Sequence, residues 1–188
     1  MASKGEPIIF VDLDQTLVHT VVLPAFHHRK FEDRKTFWYG FHHSATKNRP
    51  GADRFLKELS AQYTVFILTM GVSKFQTRVL KALDLLQYVE GVFGIDNYAD
   101  VVRPERFLLI DDMPVMSPLA EEKLRWLGRE TRLMSSEQAI ALYNAHYIQC
   151  EAFYGTAAVP CLTELLPLMS VKLEIQESAA AVNKILND

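Results

Sequence analysis

Three short apolar runs end alike: "IIFVDLDQT" from residue 8, "FILTMG" from residue 66 and "LLIDDMP" from residue 108. Each is apolar at consecutive positions and too short for a helix. That is the pattern of a strand buried on both faces, as in parallel sheets. Between and after them lie segments with helical spacing. "RPGADRFLKELSAQ" reads as a turn and a helix with Phe55, Leu56 and Leu59 on one face, and Ser73 caps a predicted helix through about Leu86. Ser117-Pro118 has the N-cap and N1 signature of a helix to about Leu127, another starts near Ser136, and a last one runs from about Pro167. "GVFGI" and "TRLM" are read as further strands. Strands alternating with helices predict a Rossmann-like α/β fold, a central parallel sheet with helices on both faces. The stretch of about residues 18–50 breaks the alternation. Leu17–Leu23 and "KTFWYGFHH" read as strands of a small β-hairpin inserted after the first strand. At 188 residues the chain is expected to be a single domain carrying that insertion.

In an open α/β sheet, ligands bind beyond the carboxyl ends of the strands. The groups expected there are Asp12 and Asp14, Thr69, and Asp111 with Asp112. The carboxylates are hard oxygen ligands of the kind Mg²⁺ prefers, and a cation lets several of them sit together charged. One carboxylate can attack a phosphoryl group and a second can move a proton. Thr69 with the amides of Met70 and Gly71 can hold phosphate oxygens. An EF-hand loop starting at Asp12 would need Gly and Glu where Leu17 and Leu23 stand, so calcium binding of that kind fails. A response-regulator receiver draws its acidic pair from the first strand and its phosphoacceptor from a later one; here the acidic pair "DD" comes last.

Charge narrows the partner. The net charge is −3, yet residues 27–50 carry Arg29, Lys30, Arg34, Lys35, Lys47 and Arg49 against Glu32 and Asp33, a local +4. Four histidines add to it: His27, His28, His42 and His43. Such a surface suits a phosphorylated partner. The same charge suits a solvated loop, a nucleotide or a nucleic-acid end. No apolar stretch is long enough to span a membrane and no signal-peptide core is visible, so a cytoplasmic location is expected. Cys150 and Cys161 form no metal-binding spacing and are read as reduced thiols.

"DLDQTLVH", "RPGADRFLKELSAQYTVFILTMG", "LLIDDMP" and "LTELLPLM", in this order, resemble the haloacid-dehalogenase-like (HAD) phosphohydrolases. The likeness is to the branch of small C-terminal-domain phosphatases (FCP/SCP-like, NLI-interacting-factor-like), with its "DLDETLVH" and "IIDNSP" motifs. It implies Mg²⁺-dependent phosphomonoester hydrolysis through an aspartyl-phosphate, with a phosphoprotein as one substrate class and nucleotides or small metabolites as others. Carried over by residue, Asp12 is the nucleophile. Asp14 is the general acid and base, with its backbone carbonyl on the metal. Thr69, with Met70 and Gly71, binds phosphate, and Asp111 or Asp112 completes the Mg²⁺ site. Thr16 and His19 match the motif in structural roles. The family's lysine ahead of the last acidic strand is absent from "NYADVVRPERFLLIDD". Arg103 is the expected substitute, ahead of Arg106 and Lys74. Without a substitute, the chain is expected to be a catalytically weak phosphate-binding or adaptor protein.

Overall fold

The computed structural model describes residues 6–24, 33–155 and 159–187. The first apolar run forms β1 (Ile8–Val11), all four residues buried. β1 lies at the centre of a five-stranded parallel sheet, between β5 (Thr64–Leu68) and β7 (Phe107–Asp111). β6 (Gly91–Phe93) flanks β5, and β8 (Tyr147–Gln149) flanks β7. Val11 is in register with Ile67 and Ile110, so residues 12, 69 and 111–112 meet at one carboxyl edge.

Alternate residues of the central strands feed opposite layers, as the period of two in a strand requires. Ile9, Val11, Val65, Ile67 and Leu108 pack with α1 (Ala52–Ser60), α2 (Ser73–Ala82) and α5 (Leu166–Asn187). Ile8, Phe10, Phe107 and Leu109 pack on the other side with α3 (Pro118–Trp126) and α4 (Ser136–His146). The Ser117 hydroxyl accepts from the Ala120 amide with Pro118 at the first helical position, and Ser135 with Gln138 forms a full capping box.

The insertion is a separate antiparallel sheet in the order β2-β4-β3, from β2 (Val18–Leu23), β3 (Lys35–Tyr39) and β4 (His42–Asn48). It sits over the start of α2, where the rings of Phe37 and Tyr39 lie 5.7 Å and 5.4 Å from that of Phe75. Its basic residues Arg29 and Lys30, with His27 and His28, lie outside the described residues.

One strand reading changes. "TRLM" holds a 3-10 turn at Thr131–Leu133, with Leu133 fully turned to solvent, because no neighbouring strand is there to bury it. The strand beside β7 is instead Tyr147–Gln149, three residues long and too short to show a period. On α5 the outward stripe is Leu168, Val171 and Ile175, 44–59% exposed, while Met169, Leu173 and Gln176 face the core. Gln176 donates to the carbonyls of Phe107 (2.9 Å) and Ala145 (2.8 Å), and those bonds set the rotation of the helix. Among the described residues no helix is long and apolar enough to cross a membrane.

The chain returns from the insertion through Arg49-Pro50-Gly51. Gly51 has φ +76°, and a Cβ there would stand 2.3 Å from Cys161 Sγ. Gly51→Ala should therefore cost about 1–3 kcal/mol, through positive-φ strain and displacement of Cys161. Thermal unfolding checks this, with Gly40→Ala as the control: it has a similar φ and nothing within 4 Å.

Candidate active site

Asp12 follows β1, Asp111 ends β7 and Asp112 follows it; all three are buried. One carboxylate oxygen from each lies within 4.8 Å of the others. Between them stands a group the motifs did not reveal. Lys123 of α3 is 2% exposed, and its Nζ donates to Asp12 Oδ1 and Asp111 Oδ2, each at 2.6 Å. Arg103, by contrast, is exposed and runs along Gly128 at the far end of α3, where a glycine Cβ would meet its Cδ at 3.3 Å. The structure does not bring Arg103 to the carboxylates. A signal for Lys123 was present in the sequence: it lies at the i+3 position from Ala120 and precedes Leu124, on the buried stripe of its helix. A lysine on such a stripe needs a buried anion.

Burial alone would strip Lys123 of its proton, but the charges of Asp12 and Asp111 outweigh it and hold its pKa above the usual lysine value. Burial likewise pushes the Asp12 carboxyl up, against the pull of Lys123 and with repulsion from Asp111 and Asp112 added. Three buried carboxylates against one ammonium leave two negative charges when all are ionised. A divalent cation would balance that charge, and hard oxygen donors of this kind suit Mg²⁺. The two acids of the "DD" pair differ. Asp111 has both oxygens engaged, Oδ1 by the Met113 amide (2.9 Å) and Oδ2 by Lys123. Asp112 accepts at Oδ1 from the Thr16 hydroxyl (2.9 Å), and its own amide donates back to that hydroxyl (3.0 Å).

The loop carrying Asp14 is held under strain, with Gln15 at φ +66°. Its amide donates to Val18 O (2.7 Å) and its carbonyl accepts from the Phe153 amide (2.6 Å). The buried Arg49 guanidinium braces the same loop by donating to the carbonyls of Thr16 (3.4 Å), Glu151 (2.6 Å) and Pro160 (3.0 Å). Asp14 is half-buried and accepts at Oδ2 from Gln76 Nε2 of α2. Burial raises its pKa and the Gln76 bond opposes that. After β5, Thr69 is buried and its Oγ1 accepts from the Gly71 amide (3.1 Å), which folds the Thr69-Met70-Gly71 turn over the strand end. His19 lies on β2 beside Tyr154, in ring contact at 6.4 Å, away from the carboxylates. Cys150 and Cys161 are both free thiols. Cys150 is buried, and burial pushes its thiol up to about 11.

Lys123→Met keeps the packing volume and leaves Asp12 without its cation. The Asp12 carboxyl then rises further above its unfolded value, so the folded state binds more protons than the unfolded one. Stability therefore falls as pH rises through the folded pKa. The variant should lose about 3–5 kcal/mol at pH 8 and recover part of it at pH 5, read from denaturant unfolding at both pH values. A loss independent of pH would contradict the ion-pair assignment.

Among solved structures, a variant of the fission yeast RNA polymerase II CTD phosphatase Fcp1 bound to beryllium fluoride is similar at TM-score 0.52 and 19% identity, and a second structure of Fcp1 at 0.51 and 22%. In both cases 97% of this chain is covered but only 54% of the other, so the chain spans about half the length of those proteins. A haloacid dehalogenase-like hydrolase from Streptococcus pneumoniae matches at TM-score 0.47 and 18% identity over 77% of this chain and 93% of its own. No curated protein matches the sequence. A family model does match it over residues 7–122, from the start of β1 into α3, and by that match the chain belongs to the NLI interacting factor-like phosphatases.

Proposed function

We infer that the chain is a Mg²⁺-dependent phosphomonoester hydrolase working through an aspartyl-phosphate, and that its substrates are phosphoproteins. The observation that carries the reading is the Lys123 ammonium, 2.6 Å from both Asp12 and Asp111 at the edge where Thr69 also emerges. One N–H of that ammonium remains for a phosphoryl oxygen, so the group that orients Asp12 also meets the charge gathering in the transition state.

In this mechanism an Asp12 oxygen attacks phosphorus and the bond from phosphorus to the ester oxygen breaks. Asp14 gives its proton to the departing alkoxide. Asp14 then takes a proton from water as the water oxygen attacks phosphorus, releasing Asp12 and inorganic phosphate. Thr69 and the Met70 amide hold phosphoryl oxygens; the Gly71 amide is spent on Thr69. Asp12, Asp112 and the Asp14 carbonyl would hold Mg²⁺, whose charge offsets that of the carboxylates and the phosphoryl oxygens. Asp111, with both oxygens taken, serves by holding Lys123. Lys123 replaces the family's earlier lysine from the opposite side of the last acidic strand.

The cap is a small three-stranded sheet, which in this reading leaves the site open to a large substrate, and Arg34, Lys35, His42 and His43 give it a basic character. Both points support a phosphoprotein, in keeping with the similarity to the RNA polymerase II CTD phosphatase Fcp1.

Asp12→Asn should abolish turnover of an aryl phosphate with thermal unfolding little changed. Chelation, or excess Ca²⁺ with its longer and looser coordination, should suppress the wild type; full activity in chelator would sink the metal assignment. Lys123→Ala should lower kcat by about a hundredfold or more, and Arg103→Ala by less than about twofold, in line with an exposed side chain away from the chemistry. The reverse order would restore Arg103. Asp112→Ala should raise the Mg²⁺ requirement more than Asp111→Ala. Profiling on phosphopeptides, nucleotides, nucleic-acid ends and sugar phosphates tests the substrate class, and a preference for any of the last three would overturn the phosphoprotein assignment.

A further inference from the structure

Gln76 occupies a place that packing alone does not explain. It lies on the first turns of α2, is 2% exposed, and its Nε2 donates to Asp14 Oδ2. Its Oε1 is buried and has no hydrogen-bond partner among the described residues. A buried amide oxygen left unpaired is costly, and a Met or Leu would fill the same space without that cost. The amide is therefore kept for the one bond that it makes.

The surroundings fix that amide from several sides. A Cβ on Gly71 would stand 2.3 Å from Gln76 Nε2, so the phosphate turn closes directly over the amide. A Cβ on Gly94 would stand 2.3 Å from Gly71 O and 2.8 Å from the Ser73 amide, so the loop after β6 closes on the same turn. Asp96 accepts from the Ser73 amide (2.7 Å) and the Ser73 hydroxyl (2.9 Å), pinning the start of α2 one turn before Gln76. Such constraint from backbone and capping groups holds a donor to one position before any substrate arrives.

We propose that Gln76 is a positioning residue, clamped between the phosphate-binding turn and the strained Asp14 loop, that aims the Asp14 carboxyl at the ester oxygen of the substrate. This rests on the function inferred above, in which Asp14 moves the proton. Gln76 itself touches no reacting atom. Its bond to Oδ2 leaves Oδ1 as the oxygen that delivers and removes the proton.

A poor leaving group needs that proton and an activated aryl oxide does not. In full-length Gln76→Met, kcat on an alkyl phosphomonoester such as a phosphoserine peptide should fall about tenfold or more. It should fall much less on p-nitrophenyl phosphate, and KM should hardly move on either. Plotted against leaving-group pKa, the rate should drop more steeply than in the wild type. Gln76→Leu, which stays close in volume and loses the donor, should steepen the plot as well, so a folding defect in one variant does not decide the matter. In an Asp14→Asn background, Gln76→Met should add almost nothing, because its action runs through Asp14. An active wild type, with both Gln76 variants keeping its leaving-group dependence, would overturn the proposal and leave the phosphatase reading intact. A full additional loss in the Asp14→Asn background would do the same. A wild type without turnover on any phosphomonoester would overturn both.

Discussion

Three carboxylates buried at one sheet edge repel one another and lose their hydration, and neither cost is tolerable without compensation. The Lys123 ammonium supplies part of it by bridging Asp12 at the end of β1 and Asp111 at the end of β7. That bridge dictates where α3 lies. The helix must present its midpoint to the strand ends, so it starts at the Ser117-Pro118 cap only a few residues after Asp112. Ala120 and Leu124 then pack on the sheet on either side of the lysine. The ion pair and the apolar stripe share one helix face, and neither can shift without the other.

The remaining groups of the site are held by backbone rather than by further charge. Thr16 exchanges two hydrogen bonds with Asp112, and Tyr147 donates to Met113 O (2.8 Å), so the loops after β1 and β7 are tied to each other and to β8. Arg49 gathers carbonyls from three segments at the point where the cap rejoins the core. A buried guanidinium satisfied by carbonyls fixes direction through its planar fork of donors. The cap is thereby anchored to the loop that carries Asp14, and the left-handed Gln15 sits inside that anchored loop.

The first turns of α2 face two ways. Phe75 packs under the cap against Phe37 and Tyr39, while the next residue, Gln76, reaches Asp14. Adjacent helix positions point about 100° apart, and that angle is what lets one turn support both the cap and the site. The part of the cap that rests on the core therefore rests on the same element that donates to the Asp14 carboxylate.

Much of this was readable in the sequence. Consecutive apolar residues in "IIFV", "TVFIL" and "FLLID" fit central parallel strands, and in such a sheet the polar groups at their ends share an edge. The identity and order of Asp12, Asp14, Thr69, Asp111 and Asp112 at that edge needed nothing more. Lys123 was visible only as an oddity on an apolar stripe, because a helix position does not say which strand end it will meet. The assignment to Arg103 followed from chain order; what brings a cation to a carboxylate is distance in space, and the fold brings Lys123 from beyond the last acidic strand. The different hydrogen-bond partners of Asp111 and Asp112, the bond from Gln76 to Asp14, and the outward turn of Leu168, Val171 and Ile175 on α5 were likewise decided by tertiary structure. Local sequence sets periodicity and the types of donors and charges. Which of them pair depends on contacts between segments tens of residues apart, and only the folded chain brings those segments together.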